Sequence, residues 1–321
     1  MSEMTPVGPA GCERAQRGGG QKPKRILVTG AGGFIGRASI GPLVSRGFEV
    51  HTVARTPGPD RDPRAVWHQA DLLVPGVPAR LVDEIHPSHL LHFAWYAVPG
   101  KYWTAPENAD WVAASEALAR AFERAGGERF VGAGTCAEYA PSDADCDERT
   151  TPLAPATLYG TSKHAAHQTL AALAAGRFSF AWGRIFFLYG PHENPSRLVP
   201  GVIRALMDGR EALCTAGTQV RDFMHVEDVA DAFAALVDSR VDGAVNIASG
   251  QPVRIADVVS SIARQMRAAD LVRLGARPMP AGELPVITAA AARLRDEVRW
   301  PGGRDLERGL SETIGWWRQR G

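Results

Sequence analysis

The chain has 321 residues, 45% hydrophobic and 22% charged, with a formal net charge of +1. That length holds two modest domains or one large domain with an added lobe, and the balanced charge supplies no global field to recruit nucleic acid or a membrane surface. No apolar run approaches the roughly 18 residues that cross a bilayer. The four cysteines, Cys12, Cys136, Cys146 and Cys214, lack short paired spacing, which predicts free thiols in a reducing cytoplasm, with neither a disulfide framework nor a metal site.

Residues 1–23 are rich in glycine, proline and charge and are expected to form a disordered tail. Order is expected from Arg25-Ile26-Leu27-Val28-Thr29, a β-branched apolar run that reads as a buried strand. It leads directly into Gly30-Ala31-Gly32-Gly33-Phe34-Ile35-Gly36 and a helix-compatible segment containing Ile40, Leu43 and Val44, which Gly47 closes. Further strands are predicted at 48–53, 90–93, 129–133, 178–182 and 244–247, and helices at 111–125, 164–175 and 226–237. This alternation predicts an α/β fold of Rossmann type, a doubly wound parallel sheet with helices on both faces. The rhythm breaks between about 183 and 200. The expected division is a dinucleotide-binding domain of 24–183 plus about 223–249, and a smaller substrate lobe of about 184–222 and 250–321.

The spacing G-x-x-G-x-x-G at Gly30, Gly33 and Gly36, between a strand and a helix, has a physical reading. Gly30 permits the tight turn, Gly33 admits a pyrophosphate close to the backbone, and Gly36 lets the helix approach the sheet. Phe34 and Ile35 belong to the same expected contact. After the second strand an NAD site normally carries a carboxylate for the ribose hydroxyls, but this chain reads Val53-Ala54-Arg55-Thr56. Arg55 is suited to a 2′-phosphate, so NADP(H) is favoured while NAD(H) stays open. Asp71 and Leu72 are placed to reach adenine, and Phe93 and Ala94 end the third cofactor-facing strand.

Tyr159-Gly160-Thr161-Ser162-Lys163 sets a phenol and an ammonium four residues apart, on one helical face. A phenol ionises near pH 10 in water. The neighbouring Lys163 cation and an oxidised cofactor would favour the phenolate, which makes Tyr159 a proton carrier for a hydride transfer. Upstream, Phe130 to Thr135 reads as a strand that ends in a hydroxyl suited to holding the substrate oxygen.

Taken together, these motifs resemble the extended short-chain dehydrogenase/reductase family, in its branch of nucleotide-sugar epimerases, dehydratases and reductases. The resemblance runs from about residue 25 to 318. Besides the glycine motif and the Tyr159/Lys163 pair, it rests on Leu188-Tyr189-Gly190-Pro191, on Gln219 through Val229, and on Gly309-Leu310 through Trp316-Trp317. It implies that Thr135, Tyr159 and Lys163 are catalytic, with Lys163 also anchoring the nicotinamide ribose. It further implies that Asn108 lies near the cofactor, that Arg221 contacts the substrate diphosphate, and that the protein is a homodimer acting on a nucleotide sugar.

The departures narrow the branch. Sugar dehydratases usually follow the catalytic Thr with Asp-Glu; Cys136-Ala137 stand here, and Glu138 falls one residue too late, with its side chain expected to point elsewhere. Dehydration is therefore disfavoured. Ala54-Arg55 suggests NADPH as a consumable reductant, which favours reduction of a nucleotide-linked 4-keto (6-deoxy) sugar over NAD-dependent 4-epimerisation. Phe187 replaces an Asn common in relatives, so Phe187, Cys136 and Trp95 are expected to shape substrate contacts. A cofactor-binding pseudoenzyme is the competing class, and the intact Thr135, Tyr159 and Lys163 argue against it.

Overall fold

A computed structural model describes residues 24–58 and 61–320; the expected disordered tail lies outside the described residues. In chain order the first part comprises β1 (Arg25–Thr29), α1 (Phe34–Ser45), β2 (Glu49–Ala54), β3 (Val66–Gln69), α2 (Val77–Ile85), β4 (His89–His92), α3 (Glu107–Arg124), β5 (Arg129–Thr135), α4 (Leu158–Ala174) and β6 (Ser179–Ile185). Then follow β7 (Phe187–Tyr189), α5 (Leu198–Met207), β8 (Ala212–Leu213), β9 (Val220–His225), α6 (Val226–Asp238) and β10 (Gly243–Ile247). The chain closes with β11 (Pro252–Arg254), α7 (Ile255–Met266), β12 (Val272–Arg273), β13 (Val286–Ile287) and α8 (Leu306–Arg318).

Seven strands form a parallel sheet in the order β10-β6-β5-β4-β1-β2-β3. Alternate side chains of each strand enter opposite layers. Ile26, Val28, Leu91 and Val131 pack with Ile40 and Leu43 of α1 and Phe233 of α6. Leu27, Leu90 and Phe130 pack on the other face with Leu81 of α2, Leu118 of α3 and Leu170 of α4. Both faces are covered, which is why these strands read as continuous apolar runs. Because β1 lies between β2 and β4, the connections reverse direction there and leave a crevice at the carboxyl ends of the strands, the usual ligand position in such sheets.

A second, smaller sheet is built on β9, which pairs with β7, β11 and β13. Beside it α5, α7 and α8 share a core that includes Ile203, Val258, Ile262, Leu310 and Ile314. The strands of this lobe, and β3 in the main sheet, are absent from the sequence reading. They are two to six residues long, and β3 (Val66-Trp67-His68-Gln69) has exposed ends, so little alternation survives to be recognised. Among the described residues, no helix is long and apolar enough to cross a membrane.

A buried polar relay fixes the exit of β4. The Ala94 N–H donates to Thr29 Oγ1 at 3.1 Å, Thr29 Oγ1 and His92 Nδ1 are 2.7 Å apart, and His92 Nε2 lies 2.9 Å from Ser115 Oγ. Ser115 Oγ donates to Trp111 O at 2.6 Å. Burial lowers the His92 pKa to about 3. The neutral ring then accepts at Nδ1 from Thr29 and donates at Nε2 to Ser115, an assignment made from the partners. Each polar atom of the relay is paired, as buried groups require.

Candidate active site

The carboxyl ends of the strands open on a cleft of about 1930 Å³. A pocket for one drug-sized ligand is roughly 300–1,000 Å³, so there is room for two ligands side by side. At one end is the glycine turn. Gly30 has φ +71, and a Cβ there would lie 2.8 Å from Ala94 N; a Cβ on Gly36 would strike the Gly30 carbonyl. Helix α1 starts at Phe34 with Gly33 as its N-cap and no side-chain cap. Its first-turn N–H groups and the positive end of its dipole are thus available to an anion, and Phe34, Ile35 and Gly36 line the cleft. These residues fit a dinucleotide pyrophosphate.

Past β2, Arg55 is exposed and lines the cleft beside Thr56. Asp71 and Leu72 line the same end, where Asp71 Oδ1 accepts the Leu73 N–H at 3.0 Å. Phe93 and Ala94 line the cleft from the end of β4, and Phe93 packs edge-on against Phe233 at 4.9 Å.

Tyr159 sits in the first turn of α4, whose N-cap Thr157 accepts the Gly160 N–H at 3.1 Å. The Tyr159 hydroxyl faces the Thr135 side chain, which favours its ionised form. Thr135 ends β5, accepts the Ala137 N–H at 3.2 Å through its hydroxyl, and donates its own N–H to Glu138 Oε1 at 2.9 Å. Burial is the largest influence on Tyr159 and pushes its pKa above the ordinary value; the neighbouring Tyr102 phenol adds to this and the Thr135 side chain opposes it. This differs from the direction expected from the Lys163 cation. The reason is geometric: Lys163 Nζ donates to Ala133 O at 2.8 Å and lies 3.8 Å from the Trp95 ring centroid. Burial lowers the Lys163 pKa to about 7, with Glu138 opposing. Cys136 lines the cleft as a thiol whose pKa burial raises to about 12.

Glu138 points into the interior. Its carboxylate accepts from Thr135 N, from Trp182 Nε1 at 2.9 Å and from Arg184 Nε at 3.1 Å. Arg184 in turn donates to Tyr139 Oη at 3.0 Å, and that hydroxyl donates to Asn246 Oδ1 at 2.7 Å. Glu138, His164 and His167 offer ligand atoms within 4.8 Å of one another. The carboxylate is already shared by the Arg184 cation and two N–H donors, and His167 stacks on Trp182. The group reads as a buried polar cluster.

Residues 26–248 match the NAD dependent epimerase/dehydratase family. The chain belongs to that family. A UDP-glucose 4-epimerase of Streptomyces lividans is 26% identical over 308 residues, covering 88% of this chain and 93% of the relative. Among solved structures, MoeE5 in complex with UDP-glucuronic acid and NAD is 29% identical, with a TM-score of 0.80 over 92% of this chain and 99% of the other. TunA, an NAD-dependent NDP-hexosamine 5,6-dehydratase involved in tunicamycin biosynthesis, is 27% identical with a TM-score of 0.81, covering 93% and 99%.

In this epimerase/dehydratase chain the far end of the cleft is formed by the small lobe. Arg221 on β9 is 1% exposed and its guanidinium is heavily engaged, by Glu283 Oε1 at 2.5 Å, Leu284 O at 2.7 Å and Val220 O at 2.8 Å. Its charge also lies 5.2 Å from the ring of Phe187. Trp95 lines the cleft, but Asn108 does not. The Asn108 amide is buried behind that loop, accepting from Trp95 Nε1 at 2.7 Å and donating to Tyr102 O and Ala105 O. Sequence reasoning passed over Tyr102, whose ring packs edge-on to Tyr159 at 4.8 Å, and Arg197, which lies 5.5 Å from the Tyr102 ring. The only available signal was the aromatic density around Tyr102-Trp103.

Proposed function

We propose that the protein is an NADPH-dependent reductase of a nucleotide-linked 4-keto sugar, 6-deoxy in its favoured form. The observation that carries this reading is Arg55. An exposed guanidinium, and no carboxylate, follows the end of β2 on the cleft wall, and its planar fork suits a phosphate monoester. When bound, the cofactor supplies a hydride to the sugar carbonyl carbon. The chain's own groups handle the oxygen: Thr135 holds it, and the Tyr159 hydroxyl gives it a proton to form the alcohol. Burial keeps that phenol protonated, which is the form reduction consumes. Lys163 would orient the ribose, and its ammonium would offset the negative charge of the phenolate left behind. Cys136 and Ala137 offer no carboxylate to the cleft for eliminating water.

A second reading, NAD-dependent nucleotide-sugar 4-epimerisation, is favoured by the relatives: the Streptomyces lividans protein is a UDP-glucose 4-epimerase, and MoeE5 holds NAD. The two readings separate in one assay. Protein is mixed with NADPH or NADH and a panel of nucleotide-linked 4-keto-6-deoxy sugars, with absorbance followed at 340 nm. Stoichiometric NADPH oxidation, lost by a factor of about 10³ or more in Tyr159→Phe, is expected. Interconversion of nucleotide sugars with no net oxidation and a retained NAD would replace the reductase with the epimerase.

A further inference from the structure

Glu193 is 8% exposed, yet it lines the cleft. Its Oε2 is buried without a hydrogen-bond partner. An unpaired buried carboxyl oxygen is costly and uncommon, and the part of the cleft wall that Glu193 forms can be read from its neighbours. On one side, His192 is bonded to Arg37 in the first turn of α1, the cofactor helix. On the other, Arg197 lies 5.5 Å from the centre of the Tyr102 ring, which packs on Tyr159. The segment carrying Glu193 therefore runs from the cofactor helix toward the Tyr159 phenol.

We propose that Glu193 is a specificity residue that hydrogen-bonds a neutral hydroxyl of the substrate sugar at the reacting end of the cleft and excludes a sugar bearing a carboxylate there. The inference rests on the reading of the cleft as a nucleotide-sugar site, but on neither reduction nor epimerisation. Burial raises the Glu193 pKa to about 8; the Arg197 charge and a hydrogen bond from the Gly190 N–H oppose this without overcoming it. At neutral pH the group is a carboxylic acid that donates one hydrogen bond and accepts others. The other titratable and charged groups around it are His192 and Arg197 on its own segment, Arg37 from α1, Tyr102, Tyr159 from α4, and His225 beside Gly190. Burial holds His225 neutral, with a pKa of about 4. A second carboxylate brought against Glu193 would have to share its proton or repel it.

Calorimetric titration of the intact protein, wild type, Glu193→Gln and Glu193→Leu, tests this. The probes are NADP, NAD, and the nucleoside diphosphates of uridine, thymidine, cytidine and guanosine, each free and as glucose and glucuronic acid conjugates. Wild type is expected to bind the glucose conjugate at least about tenfold more tightly than the glucuronic acid conjugate. Glu193→Leu should lose roughly five- to tenfold for the glucose conjugate, with the free nucleotide and both cofactors unchanged, and Glu193→Gln should retain most of it. Wild-type affinity for glucose conjugates should fall as pH rises through about 8, and the Gln variant should stay flat. Unchanged glucose-conjugate affinity in Glu193→Leu, equal wild-type affinity for the two sugars, or a loss that falls on the cofactor would overturn the proposal while leaving the nucleotide-sugar reading intact. If wild type binds the cofactor but none of the conjugates, the nucleotide-sugar reading itself falls and takes this one with it.

Discussion

Lys163 Nζ lies 3.8 Å from the centroid of the Trp95 ring, and the same indole donates its N–H to Asn108 Oδ1 at 2.7 Å. One side chain thus braces the Lys163 ammonium on its face and satisfies a fully buried amide at its edge. Trp95→Phe separates the two roles. The ring face is kept, so turnover should fall less than about tenfold. The Asn108 oxygen loses its partner, so stability should drop by about 1–3 kcal/mol in denaturant unfolding. Trp95→Leu removes both contacts and should lower kcat as well. Equal stability in Trp95→Phe would show that the Asn108 contact contributes nothing.

Arg55 tests the proposed cofactor preference. Arg55→Ala is expected to raise the KM for NADPH by roughly ten- to a hundredfold, the worth of one or two charge-assisted hydrogen bonds, and to leave the KM for NADH within about twofold. Steady-state kinetics with both reductants reads this directly. A parallel rise for both would move the 2′-phosphate contact elsewhere.

Glu138 is fully buried and bonded to Arg184 and to the Thr135 N–H. Removing one partner of a buried pair costs about 3–5 kcal/mol, so Glu138→Ala should lower the urea midpoint sharply or leave no folded protein. Glu138→Gln keeps an acceptor for Thr135 N and should fold, with a smaller loss. A Glu138→Ala protein as stable as wild type would mean that the network carries no weight.

Lys163 gives a pH signature. Unfolded, its ammonium titrates near 10.5; folded, near 7. Between those values the unfolded chain binds the proton and the native chain does not, so this group makes stability rise with pH across that window. Subtracting urea midpoints of Lys163→Met from wild type between pH 7 and 10 isolates the contribution. A flat difference would show that the ammonium stays charged when folded.

How much of this was legible beforehand follows from how local each signal is. The glycine turn between β1 and α1 could be read because its steric demand lies within seven residues. The same holds for Tyr159 and Lys163, one helical turn apart, and for Glu138, which lies off the cleft as its offset from Thr135 suggested. What could not be read was desolvation. The upward shift of Tyr159 and the exposed side of Arg55 depend on which segments pack above them. The resemblance alone placed Asn108 beside the cofactor; the fold spends its amide on Trp95, Tyr102 and Ala105. Residues Tyr102, Glu193 and Arg197 come from loops whose approach to Tyr159 no spacing rule encodes.

The Tyr159 amide donates to Trp103 O at 3.1 Å. The loop before α3 and the first turn of α4 are therefore joined through the main chain, and the loop is lifted only if that bond breaks. Deuterium uptake at this single amide then counts loop openings. It should slow when ligands fill the cleft, which gives a clock on access to the cleft around Tyr159 that needs no turnover at all.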